Sequence, residues 1–346
     1  METGMGKEFW VGVDLSEMFF DAGLAPLGLR PDAWATVKSE RFELSRKGVK
    51  ALATWLAKTS PQGRCVGVCV EAMGSVLRRF MALLDKTALP KASVVNPARV
   101  KAFRDSLGVV NKTDRIDAAL LAVFGAVRQP PVTVARSKEQ EALRALTRLR
   151  EDLVQDRTAW KNREREATTA FTRRLCRKKV KQIEAEVGGL EEELRGVLET
   201  APEFKADVER LQTIPGVGFV LAVTLVAELG DLRAYRREEL VALTGLYPKV
   251  FESGTSVRRR PHLARGGGAS VRRVLFMAAL GLKAKGGCLK AWAQALEEKG
   301  KTKMCTVGAL MRKLLLIARA VLCKNEDFSA EKFLGKKGTA ADEPTA

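Results

Sequence analysis

Short apolar runs alternate with helical patterns over residues 1–130. Two of the runs, 9–14 and 65–71, are apolar on both faces, and each ends in an acidic residue. Such runs are typical of central strands in a sheet that is covered on both sides. Weaker strand patterns lie at 19–24, 40–45 and 93–96, and helical patterns lie at 47–58 and 75–85. The alternation predicts an α/β domain, which ends at Pro130-Pro131 because proline cannot continue a backbone hydrogen-bond ladder.

Long helical patterns with dense charge fill residues 131–205, and we expect two long helices between 137 and 200. In the second, apolar residues recur at alternating spacings of 3 and 4, as in the seam of a coiled coil. The seam consists of Val180, Ile183, Val187, Leu190, Leu194 and Val197. Gly188-Gly189 interrupts it and is expected to bend the pairing. Two interpretations remain open: a contact between copies of the chain, or a two-helix hairpin within one chain.

A dense basic run lies between the two helical patterns. It consists of Arg173, Arg174, Arg177, Lys178, Lys179 and Lys181. Runs of this kind often form only a solvated helix face. In a chain this basic, however, we expect the run to contact nucleic-acid phosphates.

Residues 206–330 are predicted to form a mainly helical domain. The segment 214–218 reads Ile-Pro-Gly-Val-Gly between two helical patterns and resembles a helix-hairpin-helix turn. In such a turn, backbone N–H groups near Gly216 and Gly218 would meet a phosphate, whereas the alternative is a simple tight turn between helices. Helical patterns follow at 240–246, 270–285 and 307–323, with a loop expected at 247–268 and a disordered tail at 331–346.

The net charge of the chain indicates which class of molecule it binds. The 346 residues include 60 Lys and Arg against 41 Asp and Glu, and the formal net charge of +19 predicts a polyanionic partner. No apolar stretch approaches the roughly 18 to 20 residues of a membrane span, so we expect a cytoplasmic protein. The six cysteines form no zinc-ligand pairs. The single histidine, His262, excludes a two-histidine metal site and argues against a Ser-His-Asp hydrolase; it contacts a phosphate or is incidental.

Four carboxylates are candidates for one site. Asp14 and Glu71 close two strands of the predicted sheet, and strand ends on one edge converge. Asp114 and Asp117, three residues apart, share a face of the next helix. Two like charges 4 Å apart repel by about 4 kcal/mol at an effective dielectric of 20, so such a cluster needs cations, and Mg²⁺ is expected. The alternative is that Asn111 caps the helix with Asp114 at its third position, which would explain neither Asp14 nor Glu71.

Motifs along most of the chain resemble, in order and spacing, those of the DEDD transposases of bacterial IS110 and IS1111 insertion sequences, akin to the pilin-gene inverting recombinase. In the N-terminal part these motifs are Gly12-x-Asp14, Val70-Glu71-Ala72-x-Gly74, Val95-Asn96-Pro97 and Asn111-Lys112-Thr113-Asp114-x-x-Asp117-Ala118. In the C-terminal part they are the segment 214–218, Leu243-Thr244-Gly245-Leu246-x-Pro248, Glu252-Ser253-Gly254-Thr255-Ser256-Val257-Arg258 and Leu275-Phe276-Met277-Ala278-Ala279-Leu280. The middle helices and the tail lack such similarity.

The resemblance implies a RuvC-like domain of RNase H type over residues 1–130, in which the four acids bind Mg²⁺, with two ions per site. It also implies a transposase domain over 206–330 with Ser253 as nucleophile. The apolar spacing, rather than the resemblance, predicts the helical coiled-coil linker over 131–205 between the two domains. The resemblance also implies a homo-oligomer, a dimer or a tetramer in the synaptic complex. A structured bridge RNA would guide target and donor DNA, in a bacterial cytoplasm and in association with the nucleoid.

The residues around Ser253 support a nucleophilic hydroxyl on independent grounds. Gly254 follows it, and Arg258, Arg259 and Arg260 provide charge that would neutralise a phosphate. Ser256 is the competing hydroxyl. Further nucleic-acid contacts are expected at Arg265, Arg272 and Arg273.

This sequence departs from the family pattern at a few positions. Glu17 stands where a lysine is common, Ser75 where a threonine is common, and Arg259 where a glycine is frequent, but none of these removes a metal ligand. Two other functions remain open: a RuvC-type junction-resolving nuclease with water as nucleophile, and a noncatalytic nucleic-acid-binding scaffold.

Overall fold

The computed structural model describes residues 8–72, 74–253, 257–264, 266–285 and 288–334, and of residues 250–253, 257–261, 285, 333 and 334 it describes the main chain alone. The chain forms two compact units, 1–135 and 136–346. Within the described ranges, no helix has both the length and the apolar character that crossing a bilayer requires.

Unit 1 is built on a five-stranded sheet in the order β3-β2-β1-β4-β5. The strands are β1 (Glu8–Leu15), β2 (Phe19–Pro26), β3 (Lys38–Glu43), β4 (Arg64–Glu71) and β5 (Ala92–Val95). β1 pairs in parallel with β4, β4 in parallel with β5, and β1-β2-β3 form an antiparallel meander. All five predicted strands are confirmed to within two residues at each end. β1 is the middle strand, as its apolar run predicted.

Helices cover both faces of this sheet. One face packs against α1 (Arg46–Thr59) and α2 (Gly74–Leu84), around Phe20, Leu52 and Phe80. The other face packs against α3 (Pro97–Ser106) and α4 (Asp114–Arg128), around Trp10, Phe103 and Leu121. Gly12 and Gly23 lie on this second face, where the backbone of α4 approaches them so closely that a side chain has no room. The second face therefore holds α4 at a fixed position against β1 and β2.

Unit 2 begins with a helical hairpin of α5 (Lys138–Glu166) and α6 (Ala170–Glu199). Behind it a helical bundle contains a two-stranded antiparallel sheet, β6 with β7. The elements after the hairpin are α7 (Pro202–Gln212), α8 (Phe219–Leu229), α9 (Arg237–Thr244), β6 (Pro248–Ser253), β7 (Val257–Leu263), α10 (Ala269–Lys285), α11 (Cys288–Glu298), α12 (Lys303–Lys324) and α13 (Ala330–Leu334). The apolar residues of α8 and α12 form the core, which also includes Leu143 and Leu194 of the hairpin.

Two predictions for unit 2 were wrong. The segment 247–268 contains the β6–β7 hairpin rather than only a loop, because Pro261 and the basic residues concealed the strand pattern. Gly188-Gly189 does not interrupt α6, which runs on through both residues. Glycine disfavours a helix by only about 1 kcal/mol, which the packing of a long helix readily exceeds. Besides these two, the predicted disordered tail, 331–346, was wrong at its start, because residues 331–334 belong to the helix α13; residues 335–346 lie outside the described residues.

The coiled-coil seam lies inside the hairpin. Val180, Ile183, Val187 and Leu194 are buried, and ion pairs join the two helices, from Arg150 to Glu191 at 2.7 Å and from Lys161 to Glu184 at 3.0 Å. Lower numbers on α5 pair with higher numbers on α6, so the helices are antiparallel. The interpretation of the seam as a hairpin within one chain is therefore confirmed, and the seam gives no support to a contact between copies.

Candidate active site

The four predicted carboxylates lie at the ends of two strands and the start of one helix. Asp14 is the next-to-last residue of β1, and Glu71 is the last residue of β4. Side chains alternate along a strand. Both acids are therefore on the face occupied by α3 and α4, the face of Trp10 and Cys69. Asp114 and Asp117 lie in the first turn of α4.

Helix α4 begins where Thr113 caps it. The Thr113 hydroxyl accepts a hydrogen bond from the Ile116 N–H at 3.3 Å, so the alternative cap at Asn111 was wrong. Asp114 is then the first helical residue rather than the third. Carboxylates in a first turn are stabilised by the partial positive charge of the helix N-terminus. Helix α4 thus presents two acids toward the end of β1.

The electrostatics place these acids within range of one another. Burial, followed by the negative charges of Asp117, Asp114 and Glu71 in that order, raises the pKa of Asp14 to about 7. Burial and Asp117 also raise the pKa of Glu71, which Lys112 partly offsets. Mutual repulsion of this kind marks a site whose nearby cations do not fully compensate its negative charge.

Two arginines hold the carboxylates of the helix. Arg41 on β3 lies 2.6 Å from Asp114, and Arg104 on α3 lies 3.2 Å from Asp117. In the described part of the chain, no group of three or more His, Cys, Asp or Glu side chains is close enough to hold a metal ion. The four acids therefore lie on one sheet face and influence one another's pKa, but their carboxylate oxygens are too far from one another to bind one metal ion together.

A fifth carboxylate, Asp21, adjoins the site and was missed by sequence reasoning. It faces Asp14 across the β1–β2 pairing and is 2% exposed. Arg41 pairs with it at 2.9 Å, while its Oδ1 is buried without a hydrogen-bond partner. The sequence signal was an acid between the apolar residues Phe20 and Ala22 in a predicted strand. Arg41 and Arg104 gave no signal, because their partners are distant in sequence.

The predicted nucleophile belongs to unit 2. Ser253 is the last residue of β6, and its backbone pairs with Val257 at the start of β7. The serine is thus fixed at the end of a β-hairpin, with residues 254–256 between the strands. Ser256 and Arg265 lie outside the described residues, and of Arg258, Arg259 and Arg260 only the main chain in β7 is described. His262 is exposed on β7 opposite Lys249.

Family models match both parts of the chain. Residues 11–171 match a transposase model of the DEDD type of IS110, and residues 208–293 match the transposase family IS116/IS110/IS902. The chain belongs to the IS110 family of transposases.

Relatives of this IS110-family transposase extend over most of its length. A pilin gene-inverting protein of Moraxella bovis is 27% identical over 325 residues, covering 92% of this chain and 97% of the relative. The transposase of element IS1111A from Coxiella burnetii is 26% identical, covering 75% of this chain and 79% of the relative. That of IS1328 from Yersinia enterocolitica is 27% identical, covering 75% and 86%. The chain is accordingly an enzyme that acts on DNA, a transposase or recombinase.

The basic run of this transposase lies on the first turns of α6, and all six of its side chains are exposed. Arg177 pairs with Glu164 at 2.7 Å across the hairpin, and the Arg173 guanidinium donates to the Ala167 carbonyl at 3.0 Å. Arg174 lies 5.8 Å from the ring centre of Phe171, which is itself 64% exposed. The transposase therefore carries a cluster of cations and one exposed aromatic ring near the hairpin tip.

The other predicted nucleic-acid contacts have structural partners in this transposase. Gly216 has a φ of +80° and adjoins Leu282, so a side chain there would meet the apolar core. Gly218 caps α8 and has open space around it. Arg272 donates to the carbonyls of Thr244 and Gly267, and Arg273 pairs with Glu151. Both arginines thus contribute to holding the bundle together.

Proposed function

We propose that this transposase cleaves and rejoins DNA strands through a Mg²⁺-dependent carboxylate site and the hydroxyl of Ser253. The observation that carries the proposal is the accumulation of Asp14, Glu71, Asp114 and Asp117 on one sheet face, where burial and the charges of the other three acids together raise the pKa of Asp14 to about 7. The donors are all hard carboxylate oxygens, which Mg²⁺ prefers, and a divalent cation would relieve their repulsion. Two such ions, when bound, supply charge stabilisation to the attacking and leaving oxygens of phosphoryl transfer.

The protein residues have separate roles in this proposal. The four acids would hold the ions; at present Arg41 pairs with Asp114 and Arg104 pairs with Asp117. We further propose that unit 1 is a RuvC-like domain of RNase H type, which its central sheet and two helical layers support. The helix-hairpin-helix turn remains a proposal, supported by the positive φ of Gly216 and by the open N-terminus of α8.

In this proposal the strand transfer consists of two transesterification steps. The Ser253 oxygen forms a bond to phosphorus while the bond to one sugar oxygen breaks, and that oxygen takes a proton in place of the one the serine loses. A DNA hydroxyl then attacks the same phosphorus and releases the serine. The number of phosphate ester bonds is unchanged, so rejoining needs no external energy source.

The second part of the proposal is a structured guide RNA that pairs with target and donor DNA. The net charge of +19 and the exposed cations of α6 support a polyanionic partner beyond the DNA itself. Assembly as a homo-oligomer with the RNA also remains a proposal. RNA that copurifies with the full-length protein should be one defined species, resistant to removal by DNase and lost after RNase treatment. A random RNA population of host transcripts would contradict guidance.

A covalent adduct tests the serine. The wild-type protein, with its copurified RNA, Mg²⁺ and labelled DNA, should give a protein–DNA adduct that survives denaturing electrophoresis. Peptide mapping should place the phosphate on Ser253. Ser253→Ala should give none, and Ser256→Ala, the matched control three residues away, should retain it. An adduct lost only in Ser256→Ala assigns the role to Ser256, and cleavage by both variants without any adduct supports a nuclease that uses water.

Metal binding tests the acids independently of turnover. Asp117→Asn should weaken Mg²⁺ or Mn²⁺ binding, measured by titration calorimetry on the full chain, and should abolish cleavage while DNA binding persists. Asp85→Asn removes an exposed carboxylate beyond the end of α2 and is the matched control. Equal metal binding by both variants would refute the assignment of Asp117.

A further inference from the structure

A groove of about 770 Å³ lies in unit 1 beside the candidate active site. Its lining includes two of the four site carboxylates, Glu71 and Asp117. It also includes three cations, Lys101 and Arg104 of α3 and Lys112 of the segment before α4. Lys112 belongs to the motif that carries Asp114 and Asp117, whereas the sequence analysis assigns no nucleic-acid contact to any of the three. The groove therefore places three cations beside two of the candidate catalytic acids.

Apart from a third acid, Asp105, the rest of the lining is mostly apolar. Val100 and Leu120 lie in the wall formed by the two helices, and Val110 in the connecting segment is 92% exposed. A groove with an apolar wall and cations suits a sugar–phosphate chain, because the sugars and base faces contact carbon atoms while the phosphates contact the cations. Its volume lies within the range of roughly 300 to 1,000 Å³ that is usual for ligand-binding pockets.

Arg104 provides the most specific observation. Its side chain is 17% exposed, and one of its terminal nitrogens pairs with Asp117 at 3.2 Å. Its Nε is buried and has no hydrogen-bond partner among the described residues. A buried donor without an acceptor is unfavourable by about 1 to 3 kcal/mol, and such groups are rare in folded proteins. An acceptor supplied by a ligand in the groove would remove this penalty once the Arg104 side chain shifts enough to bring Nε to the groove surface.

We propose that the groove between α3 and α4 holds the phosphate backbone of the DNA strand that enters the carboxylate site. Arg104 Nε donates to a phosphate oxygen at the inner end, and Lys101 and Lys112 contact phosphates further out. The occupant is DNA rather than RNA because the groove opens onto Glu71 and Asp117, and the strand that reaches these acids is the one that is cut. The inference rests on the proposed function, since it assigns a substrate position to the same acids.

A trapping experiment tests the position of the strand. The starting protein is the full chain with Cys305→Ser and Cys323→Ser, which removes the exposed thiols. Cys69, Cys176 and Cys288 are buried, and burial raises the pKa of Cys65 to about 11, so these thiols react slowly. Val110→Cys then places a thiol in the groove. Lys50→Cys on α1 places a matched thiol on the opposite face of the sheet.

The probe is a single-stranded DNA oligonucleotide with an activated disulfide tethered to one internal phosphate, used at micromolar concentration in EDTA. A thiol beside bound DNA experiences a millimolar effective concentration, so trapping at position 110 should exceed that at position 50 by about a hundredfold. Equal rates at the two positions would overturn the proposal. Trapping of the matching RNA oligonucleotide but not of DNA would overturn the assignment of the occupant.

Charge removal tests the lysines. With DNA below saturation the trapping rate follows the affinity of the groove, and each phosphate contact on a single strand contributes a salt slope of about 0.7. Lys101→Gln/Lys112→Gln should therefore slow trapping at position 110 by up to about 25-fold at 0.1 M salt and reduce the slope by about 1.4. The control pair Lys50→Gln/Lys58→Gln on α1 should change neither. An unchanged slope in the first pair would remove the lysines from the proposal.

These measurements use neither metal nor turnover. Failure of trapping therefore leaves the adduct and calorimetry tests of the proposed function unaffected. Failure of those tests, with trapping intact, would leave a DNA-binding groove beside acids that do not cleave.

Discussion

Replacing Gly12 by alanine should displace the helix that carries two of the candidate catalytic acids. Gly12 lies on β1, two residues before Asp14, with the backbone of α4 directly above it. An added methyl group would overlap the Ala122 nitrogen and the Ala118 oxygen and would lie 2.5 Å from the carbonyl carbon of Leu121. These atoms are main chain in the middle of a helix, so no side-chain rotation can relieve the overlap.

The magnitude follows from the distances. Carbon atoms in ordinary contact are about 3.5 to 4.0 Å apart, so α4 must move by about 1 Å or more. Overpacking a core typically destabilises by about 1 to 3 kcal/mol, and we place Gly12→Ala at the upper end, about 3 kcal/mol. At Gly23 on β2 the methyl would lie 2.9 Å from the Ala118 oxygen, a milder overlap. Gly23→Ala should therefore cost about 1 kcal/mol.

Hydrogen exchange on the peptide 118–126 of α4, read by mass spectrometry, measures the effect locally. A loss of about 3 kcal/mol corresponds to a reduction of about a hundredfold in protection, against about fivefold for Gly23→Ala. Gly189→Ala in α6, where a methyl meets nothing within 4 Å, should instead stabilise its helix by about 1 kcal/mol. Cleavage by Gly12→Ala should fall by about 10², since a 1 Å misplacement can have that effect. Unchanged protection in Gly12→Ala, or a larger loss in Gly23→Ala, would refute the reasoning.

Three further predictions concern charge and packing. In EDTA, Asp14→Asn should be more stable than wild type. Burial and the neighbouring acids raise the folded pKa to about 7, so the wild type loses stability as pH rises from about 4 to 7. Allowing for its partial exposure, the gain should reach about 1 to 2 kcal/mol above pH 7 in urea unfolding, and a constant gain from pH 4 upward would contradict it. Ile183→Asp places a charge in the buried seam and should lower the helical circular dichroism signal and the melting temperature, with a loss of at least about 3 kcal/mol in the free energy of unfolding. Retained helicity together with a smaller particle mass by light scattering would instead support the interpretation of the seam as a contact between copies. Burial favours protonation of Glu228, but Arg148 and Arg144 outweigh it and lower its pKa. Glu228→Gln should therefore cost about 2 kcal/mol at pH 7 in urea unfolding, and the difference should disappear as the pH falls through the lowered pKa of Glu228; a difference that persists in acid would show that charge is not the cause.

The sheet could be predicted from the sequence because its signal is local. An apolar run on both faces identified β1 and β4, and an acid at the end of each run located Asp14 and Glu71. The spacing of Asp114 and Asp117 required only the helical period. The first residue of a helix was harder to predict from the sequence. Asn111 and Thr113 both have side chains that can cap a helix, and only the main-chain conformation shows that Thr113 is the cap of α4.

The remaining features depend on tertiary contacts. Arg41 is 73 residues from Asp114, and neither sequence position indicates the other. The seam of α6 had the same pattern whether it packed on α5 or on another copy. The β6–β7 hairpin carries Arg and Lys where strands usually carry apolar residues, so alternation gave no signal there.

The helical hairpin is a long arm that is anchored at its base. Near its base, Arg144 and Arg148 of α5 are held by Glu228 of α8, and Leu143 enters the bundle core. Beyond this anchorage, residues 152–166 extend about 22 Å toward the tip. A rotation of about 10° at the base would sweep the tip, with its cations, through about 4 Å. Small adjustments among a few buried groups in the bundle thus become displacements larger than a hydrogen bond at the far end of the arm.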